Sequence, residues 1–229
     1  MVIFNEKKKM LTLVTLSVIA CVIMFVIEKY LHPEFMIKSA LKVTIFIFSI
    51  IVYYLISKDR FTLLNIKDTD RSNFIKVFLL GIIIFILILV GYYLIKGFVD
   101  FENIKENLLN KEGVTKDNFL FVSLYISIIN SFLEELFFRA HIFGKMKELN
   151  YRKLGYLVSP LLFSLYHVSI IDSWFTPHLF ILFVIGLFIV GAVFNFIMEK
   201  TNTFLAPWIV HVFANIGINT IGFIMLGVI

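Results

Sequence analysis

The sequence predicts an all-α fold: a polytopic membrane helix bundle of about seven transmembrane helices, between six and eight, forming one integral-membrane domain over residues 1–229. Hydrophobic residues make up 60% of the chain and include 27 Phe, well above the roughly 45 to 50% apolar usage of soluble domains. The mean hydropathy is +0.94. No linker-like or repetitive stretch separates a second domain.

Apolar runs of bilayer-spanning length recur from one end of the chain to the other. They fall at residues 10–27, 39–57, 75–95, 119–143, 154–171, 179–198 and 204–228. The first run follows three lysines but lacks a small-x-small cleavage site, so we expect an uncleaved anchor. It also holds Cys21, the single cysteine, which excludes an intramolecular disulfide and predicts a small buried side chain.

The distribution of basic residues predicts the orientation in the membrane. With the N-terminus in the cytoplasm, 14 of the 21 Lys and Arg fall on the cytoplasmic side and 7, Lys42 among them, on the other, as the positive-inside rule favours. The net charge of +5 follows from this asymmetry, so we expect the lipid bilayer as a partner and no nucleic acid. The Lys, Ile, Phe and Asn bias indicates a prokaryotic cell membrane.

A few ionisable or strongly polar residues lie inside the apolar runs, where such groups face a bundle interior or a wet cavity far more often than lipid. At 1.5 Å per residue, Glu134, His167 and His211 lie roughly 16 to 21 Å from the nearest cytoplasmic lysines. We therefore expect them to meet near the middle of the bilayer. The set is Glu134, Glu135, Arg139, His167, His211 and Asn215.

The spacing within each run predicts which of these side chains interact with each other. Glu135 and Arg139 are four residues apart and predict an ion pair within one helix. Glu134 then remains as the uncommitted carboxylate. His211 and Asn215 share a helix face, as two donors for a developing oxyanion would. Taken singly, each feature also fits a purely structural interpretation. The charged residues could form a face at the membrane interface, and a histidine could serve only as a hydrogen bond between helices.

Other catalytic motifs are missing from the sequence. It contains no G-x-S-x-G, no H-E-x-x-H and no Walker phosphate loop, which argues against serine-hydrolase, zincin and ATP-driven chemistry. What remains is a set of one free glutamate, two histidines and an asparagine on three separate runs.

Three signatures on these runs resemble the CAAX prenyl protease and bacteriocin-processing (CPBP, Abi) family of intramembrane proteases. They are E-E-L-F-F-R at 134–139, F-S-L-Y-H at 163–167 and H-V-F-A-N at 211–215. They occur in the family's order, and the similarity covers about residues 119–216. The resemblance implies hydrolysis of a peptide bond in a membrane-associated or prenylated peptide or protein.

The resemblance also implies roles for individual residues. Glu134 would activate the attacking water, His167 would hold that water, and His211 with Asn215 would stabilise the oxyanion. Glu135 and Arg139 would support them. Members of the family are described both as metalloproteases and as metal-independent glutamate proteases. We favour the metal-free scheme with no cofactor, and keep zinc on Glu134, His167 and His211 as the alternative.

Two functions of other classes stay open at this point. A non-catalytic bacteriocin-immunity or peptide-binding protein could use the same scaffold to sequester a peptide. A proton-coupled transporter with Glu134 as the carrier is the third possibility, weakened by the missing internal repeat.

Overall fold

The computed structural model of the protein describes residues 5–59, 71–110, 113–171 and 174–229. Within these ranges the chain forms eight helices and no strand. The helices are α1 (Glu6–Leu31), α2 (Phe35–Ser57), α3 (Arg71–Ile95), α4 (Phe101–Asn110), α5 (Phe119–Glu148), α6 (Arg152–Ile171), α7 (Pro177–Thr201) and α8 (Leu205–Met225). This architecture confirms the predicted all-α bundle.

The helix ends follow ordinary capping chemistry. Asn5 precedes α1, and its side-chain oxygen accepts a hydrogen bond from the backbone N–H of Lys7, which satisfies one of the free donors of the first turn. Pro177 opens α7, at a position where its missing N–H costs nothing. Lys58 and Asn202 end α2 and α7 in the left-handed conformation, a common way to stop a helix.

Six of the described helices are long and apolar enough to cross a membrane: α1, α2, α3 from Phe74, α5, α7 and α8. They coincide with six of the seven predicted runs, so the protein is an integral, multi-pass membrane protein. The fifth run, at 154–171, forms α6 but is not among these six of the described helices. The short helix α4 was not predicted.

Helix α5 lies at the centre of the bundle. It contacts α1, α2, α6, α7 and α8, while α3 packs mainly on α8 and α6 mainly on α7. An aromatic core joins α2, α5 and α6, in which Phe46 stacks on Phe137 with ring centroids 4.1 Å apart. Cys21 is buried in the same core, as predicted. Because α5 touches most of the bundle, its polar side chains can meet partners from several helices.

Helix α5 is irregular in a way that affects those side chains. Two of its stretches, Tyr125–Asn130 and Glu135–Gly144, are π-helical, with wider turns than an α-helix. Such turns are often found at functional sites. Glu134 and Glu135 stand at the junction between the α-helical turn Ser131–Glu134 and the second π-helical stretch. Both of these adjacent glutamates are buried, with 2% and 0% of their surface exposed.

Candidate active site

Glu134 of α5 meets both histidines, each from a different helix. Its Oε2 lies 4.0 Å from Nε2 of His167 in α6 and 3.8 Å from Nε2 of His211 in α8. The side chain of His167 keeps 19% of its surface exposed and that of His211 keeps 10%. The structure thus brings together three residues that are up to 77 positions apart in the chain, as the sequence predicted.

Each imidazole is oriented by a second partner. Nδ1 of His167 lies 2.7 Å from the backbone oxygen of Phe163, one turn earlier in α6. A carbonyl oxygen can only accept, so Nδ1 carries the proton and, in the neutral ring, Nε2 presents a lone pair toward Glu134. Nδ1 of His211 lies 2.9 Å from Oε1 of Glu135. A carboxylate oxygen also accepts, so Nδ1 carries the proton in this ring as well.

Glu135 and Arg139 form the predicted ion pair within α5. Nε of Arg139 lies 3.3 Å from Oε2 of Glu135, and both side chains are fully buried. The guanidinium also stacks on Phe163 and Phe194, at 4.1 and 5.0 Å from their ring centroids. Such stacking on aromatic faces is favourable for a weakly hydrated cation. Arg139 therefore joins α5 to α6 and α7 directly behind the histidines.

Asn215 lies one turn after His211 on α8, and its amide donates a 3.1 Å hydrogen bond to the backbone oxygen of Ile126. Ile126 is in the first π-helical stretch of α5. Asn219 and Trp208 of α8 also bond to this part of α5, through Ser127 and Ser131. These bonds hold α8 against α5. The amide of Asn215 has a second N–H, and among the described residues Asn215 forms no hydrogen bond with Glu134.

The expectation that Glu134 is uncommitted was wrong. Nζ of Lys42 in α2 lies 2.6 Å from its Oε1, and the amide of Asn130 donates to the same oxygen at 2.9 Å. Lys42 also donates to Oδ1 of Asn130. Sequence reasoning missed Lys42 because it assigned this residue to the non-cytoplasmic side with the loop lysines. Helix α2 begins at Phe35, four residues earlier than the predicted run, which places Lys42 two turns inside a helix.

The zinc alternative fits this arrangement poorly. One carboxylate and two imidazoles is a known zinc ligand set, but an ammonium already contacts the carboxylate that would have to bind the metal. Among the described residues, no group of three or more His, Cys, Asp or Glu side chains is arranged to hold a metal ion.

Fold and site together define a class: a multi-pass membrane helix bundle with a buried carboxylate beside two imidazoles. The comparison with protein families makes this more specific. Residues 116–217 match the family described as type II CAAX prenyl endopeptidase, Rce1-like. This segment is therefore Rce1-like, and the resemblance drawn from the three signatures is confirmed. Comparisons with curated proteins and with solved structures gave no match.

The matched segment contains every predicted site residue and also Asn130. It does not contain Lys42, which lies in α2, 74 residues before the match begins. The family is one of CAAX-type endopeptidases of the membrane, and the fold agrees with that general activity.

Proposed function

We propose that the protein is an intramembrane glutamate endopeptidase that hydrolyses a peptide bond of a membrane-associated or prenylated peptide or protein. The observation that carries this proposal is the approach of Glu134 Oε2 to Nε2 of His167 and of His211, at 4.0 and 3.8 Å. Two atoms 4.0 Å apart can share one water at about 2.8 Å from each, with an angle near 90° at its oxygen.

In this scheme Glu134 is the general base for that water. A base must lie within hydrogen-bond reach of the proton that it takes, directly or through one water. The lone pair on Nε2 of His167 accepts the water's other proton and so holds its oxygen toward the substrate. His167 is also the most exposed of the three side chains, so we place the approach of the substrate on its side of the site.

The reaction balances with these residues alone. Glu134 takes one proton of the water as its oxygen adds to the carbonyl carbon, which gives a tetrahedral oxyanion. The intermediate collapses when the C–N bond breaks, and Glu134 returns the proton to the leaving nitrogen. The products are a new carboxylic acid and a new amine, which become carboxylate and ammonium by transfer of the acid's proton, and the glutamate is regenerated.

His211 and Asn215 are the proposed donors to the oxyanion. Nδ1 of His211 already carries a proton toward Glu135, so Nε2 becomes a donor when the ring is an imidazolium. Donors aimed at developing charge are worth several kcal/mol, about 3 for one hydrogen bond. The second N–H of Asn215 is the other proposed donor.

The scheme is metal-free and needs no cofactor. The ammonium of Lys42 beside Glu134 supports this choice, because a cation in that position competes with a metal for the same carboxylate. We propose the same membrane setting as the sequence predicted, a prokaryotic cell membrane with the N-terminus in the cytoplasm.

The test uses purified protein in proteoliposomes with an internally quenched, farnesylated CAAX peptide and its unprenylated twin. We expect the wild type to cleave at least one of them. Glu134→Gln and His167→Ala should lower kcat by at least about 10²-fold, the lower end of a general-base contribution. Glu102→Gln, on an exposed glutamate of α4, is the matched control and should leave kcat unchanged.

Two outcomes would reject the proposal. Retained cleavage in Glu134→Gln would exclude that residue as the base. Tight binding of the peptides without cleavage, unaffected by Glu134→Gln, would instead favour the non-catalytic peptide-binding function. A loss of activity on chelation that zinc restores would replace the metal-free scheme.

A further inference from the structure

Two hydrogen bonds converge on one of the two oxygens of Glu134, and a third joins their donors to each other. Lys42 and Asn130 both donate to Oε1, and Lys42 also donates to the amide oxygen of Asn130. The other oxygen, Oε2, is the one that faces His167 and His211. The two oxygens of one carboxylate therefore have separate environments, one filled by donors and one open toward the imidazoles.

The position of Lys42 is itself fixed from two sides. Its ammonium lies 4.6 Å from the ring centroid of Tyr166 in α6, next to His167 in the chain. Its side chain is only 7% exposed. A lysine held between an aromatic face, an amide and a carboxylate has lost the freedom of a surface lysine, and its charge interacts in a medium of low dielectric. Lys42 thus links α2 to both helices that supply Glu134 and His167.

We propose that Lys42, together with Asn130, is a positioning residue of the active site: it holds Oε1 of Glu134 so that Oε2 is the oxygen presented to the water and the imidazoles. This inference rests on the proposed function. A carboxylate without these donors can rotate about its last bond, which turns Oε2 away from the water. Loss of alignment by about 1 Å at a reacting group can cost on the order of 10²-fold in rate.

The proposed site extends beyond the segment that matches the family. Lys42 lies outside the Rce1-like segment 116–217, so the complete site depends on the N-terminal half of the bundle. A chain reduced to the matched segment would keep Glu134, His167, His211 and Asn215 but lose the cation that fixes the base.

The first experiment compares two lysines one turn apart on α2. Lys42→Met removes the ammonium from Glu134, whereas Lys38→Met removes an ammonium paired with Glu28 at 2.9 Å. Both changes break an ion pair near the same helix end, so both should lower thermal stability. We expect only Lys42→Met to lower kcat per folded molecule on the quenched farnesylated peptide, by about 10²-fold, with KM changed by less than about threefold.

Chemical restoration of the ammonium at position 42 distinguishes a positioning role from a structural one, because only a positioning role makes kcat depend on the charge. In a Cys21→Ala background, which removes the only cysteine, Lys42→Cys is alkylated with 2-bromoethylamine to give a thioether analogue of lysine. Alkylation with 2-bromoethanol adds a neutral group of similar size. We expect kcat to recover at least about tenfold with the amine and not with the alcohol, since only the former replaces the charge-assisted hydrogen bond.

The possible results separate this inference from the proposed function. Cleavage by the wild type that persists within about threefold in Lys42→Met would overturn the positioning role and leave the endopeptidase intact. Should Lys42→Met not fold, Asn130→Ala is the second variant; it removes one donor to Oε1, and we expect a loss in kcat at constant KM. An unchanged kcat there would equally overturn the proposal.

A wild type that cleaves neither peptide would contradict the proposed function. In that case the positioning role is tested by a measurement that needs no turnover. Infrared difference spectra between the wild type and Glu134→Gln identify the bands of that carboxylate. The positioning role predicts that Lys42→Met shifts these bands and that Lys38→Met does not. Unshifted Glu134 bands in Lys42→Met would overturn it.

Discussion

His211 lies between two glutamates that are neighbours in the chain: its Nδ1 is 2.9 Å from Oε1 of Glu135 and its Nε2 is 3.8 Å from Oε2 of Glu134. One imidazole thus contacts a carboxylate on each side. The inner contact fixes the ring and its protonated nitrogen, and the outer nitrogen faces the proposed water. This division gives the two glutamates different chemistry, which mutation can separate.

Glu135→Gln tests the inner contact. A carboxylate accepts only, whereas the amide of Gln can turn its NH2 group toward Nδ1 and favour the wrong tautomer. It also no longer stabilises an imidazolium. We expect kcat to fall by about 10²-fold, with little change in KM, measured on the same quenched peptides. Activity equal to that of the wild type would show that Glu135 serves stability alone.

The buried pair of Glu135 with Arg139 predicts a stability effect. Arg139→Met leaves a carboxylate buried without its cation, a change that typically costs about 3 to 5 kcal/mol. We expect the double variant Glu135→Gln/Arg139→Met to be more stable than Arg139→Met alone, because no lone charge remains. Unfolding of both variants in mixed micelles measures the difference. Additive losses in the double variant would contradict the coupling.

Arg139→Lys should not substitute for the guanidinium. Lysine keeps the charge but loses the planar group that stacks on Phe163 and Phe194. We expect a loss of thermal stability of about 1 to 2 kcal/mol, the size of buried cation–π contacts. Scanning fluorimetry in detergent gives the measurement, with Lys147→Arg on an exposed, partly paired lysine as control.

Two glycines of α7 form a matched pair. A Cβ on Gly191 would lie 3.0 Å from Cα and Cβ of Pro160 in α6, whereas a Cβ on Gly186 would meet nothing within 4 Å. Close helix contacts in membranes use such small residues. Because α6 also carries His167, we expect Gly191→Ala to lower both stability and kcat. Gly186→Ala should leave both unchanged, and equal behaviour of the two variants would contradict the close contact.

Asp59, just after α2, predicts a pH effect on stability. Burial alone would raise the pKa of Asp59, but hydrogen bonds from Lys9 and Tyr53 and the nearby Lys145 hold it below its usual value. A depressed folded-state pKa adds stability above the unfolded value, near 4, and this contribution is lost as the pH falls through the folded value.

We therefore expect Asp59→Asn to be less stable than the wild type by about 1 kcal/mol near neutral pH. The gap should close as the pH falls from about 5 to about 2. Thermal unfolding of both proteins across this range measures it, with Asp117→Asn at an exposed position as control. A gap that is independent of pH would show that the ion pair is not its source.

The helical bundle was predictable because the bilayer imposes a minimum length on each apolar run. The approach of Glu134, His167 and His211 to one another was predictable as well, since 1.5 Å per residue places groups along a helix regardless of its neighbours. Their depth in the bilayer stays a prediction. The Glu135–Arg139 pair followed from spacing within one helix. Each of these inferences uses distances along a single element.

The partners of Glu134 were missed for the opposite reason. Which face of α2 touches α5 depends on packing between elements, and the sequence of one chain contains no direct signal for it. Only an indirect signal was present: Lys42 lies inside the run 39–57, and a cation in an apolar helix needs a partner. Asn130 could have been found in the same way, four residues before Glu134. The π-helical turns of α5 have no comparable mark in the sequence.

Because of the wide turns in α5, the positions of its side chains around the helix axis depend on the exact number of residues in each turn. Helix length alone does not fix them. Straightening Glu135–Gly144 into ordinary α-helical turns would rotate every later side chain relative to Glu134. A single inserted or deleted residue there would keep the helix long enough to span the bilayer and yet separate Arg139 from its aromatic partners. We therefore expect Glu135–Gly144 to tolerate substitutions better than insertions or deletions.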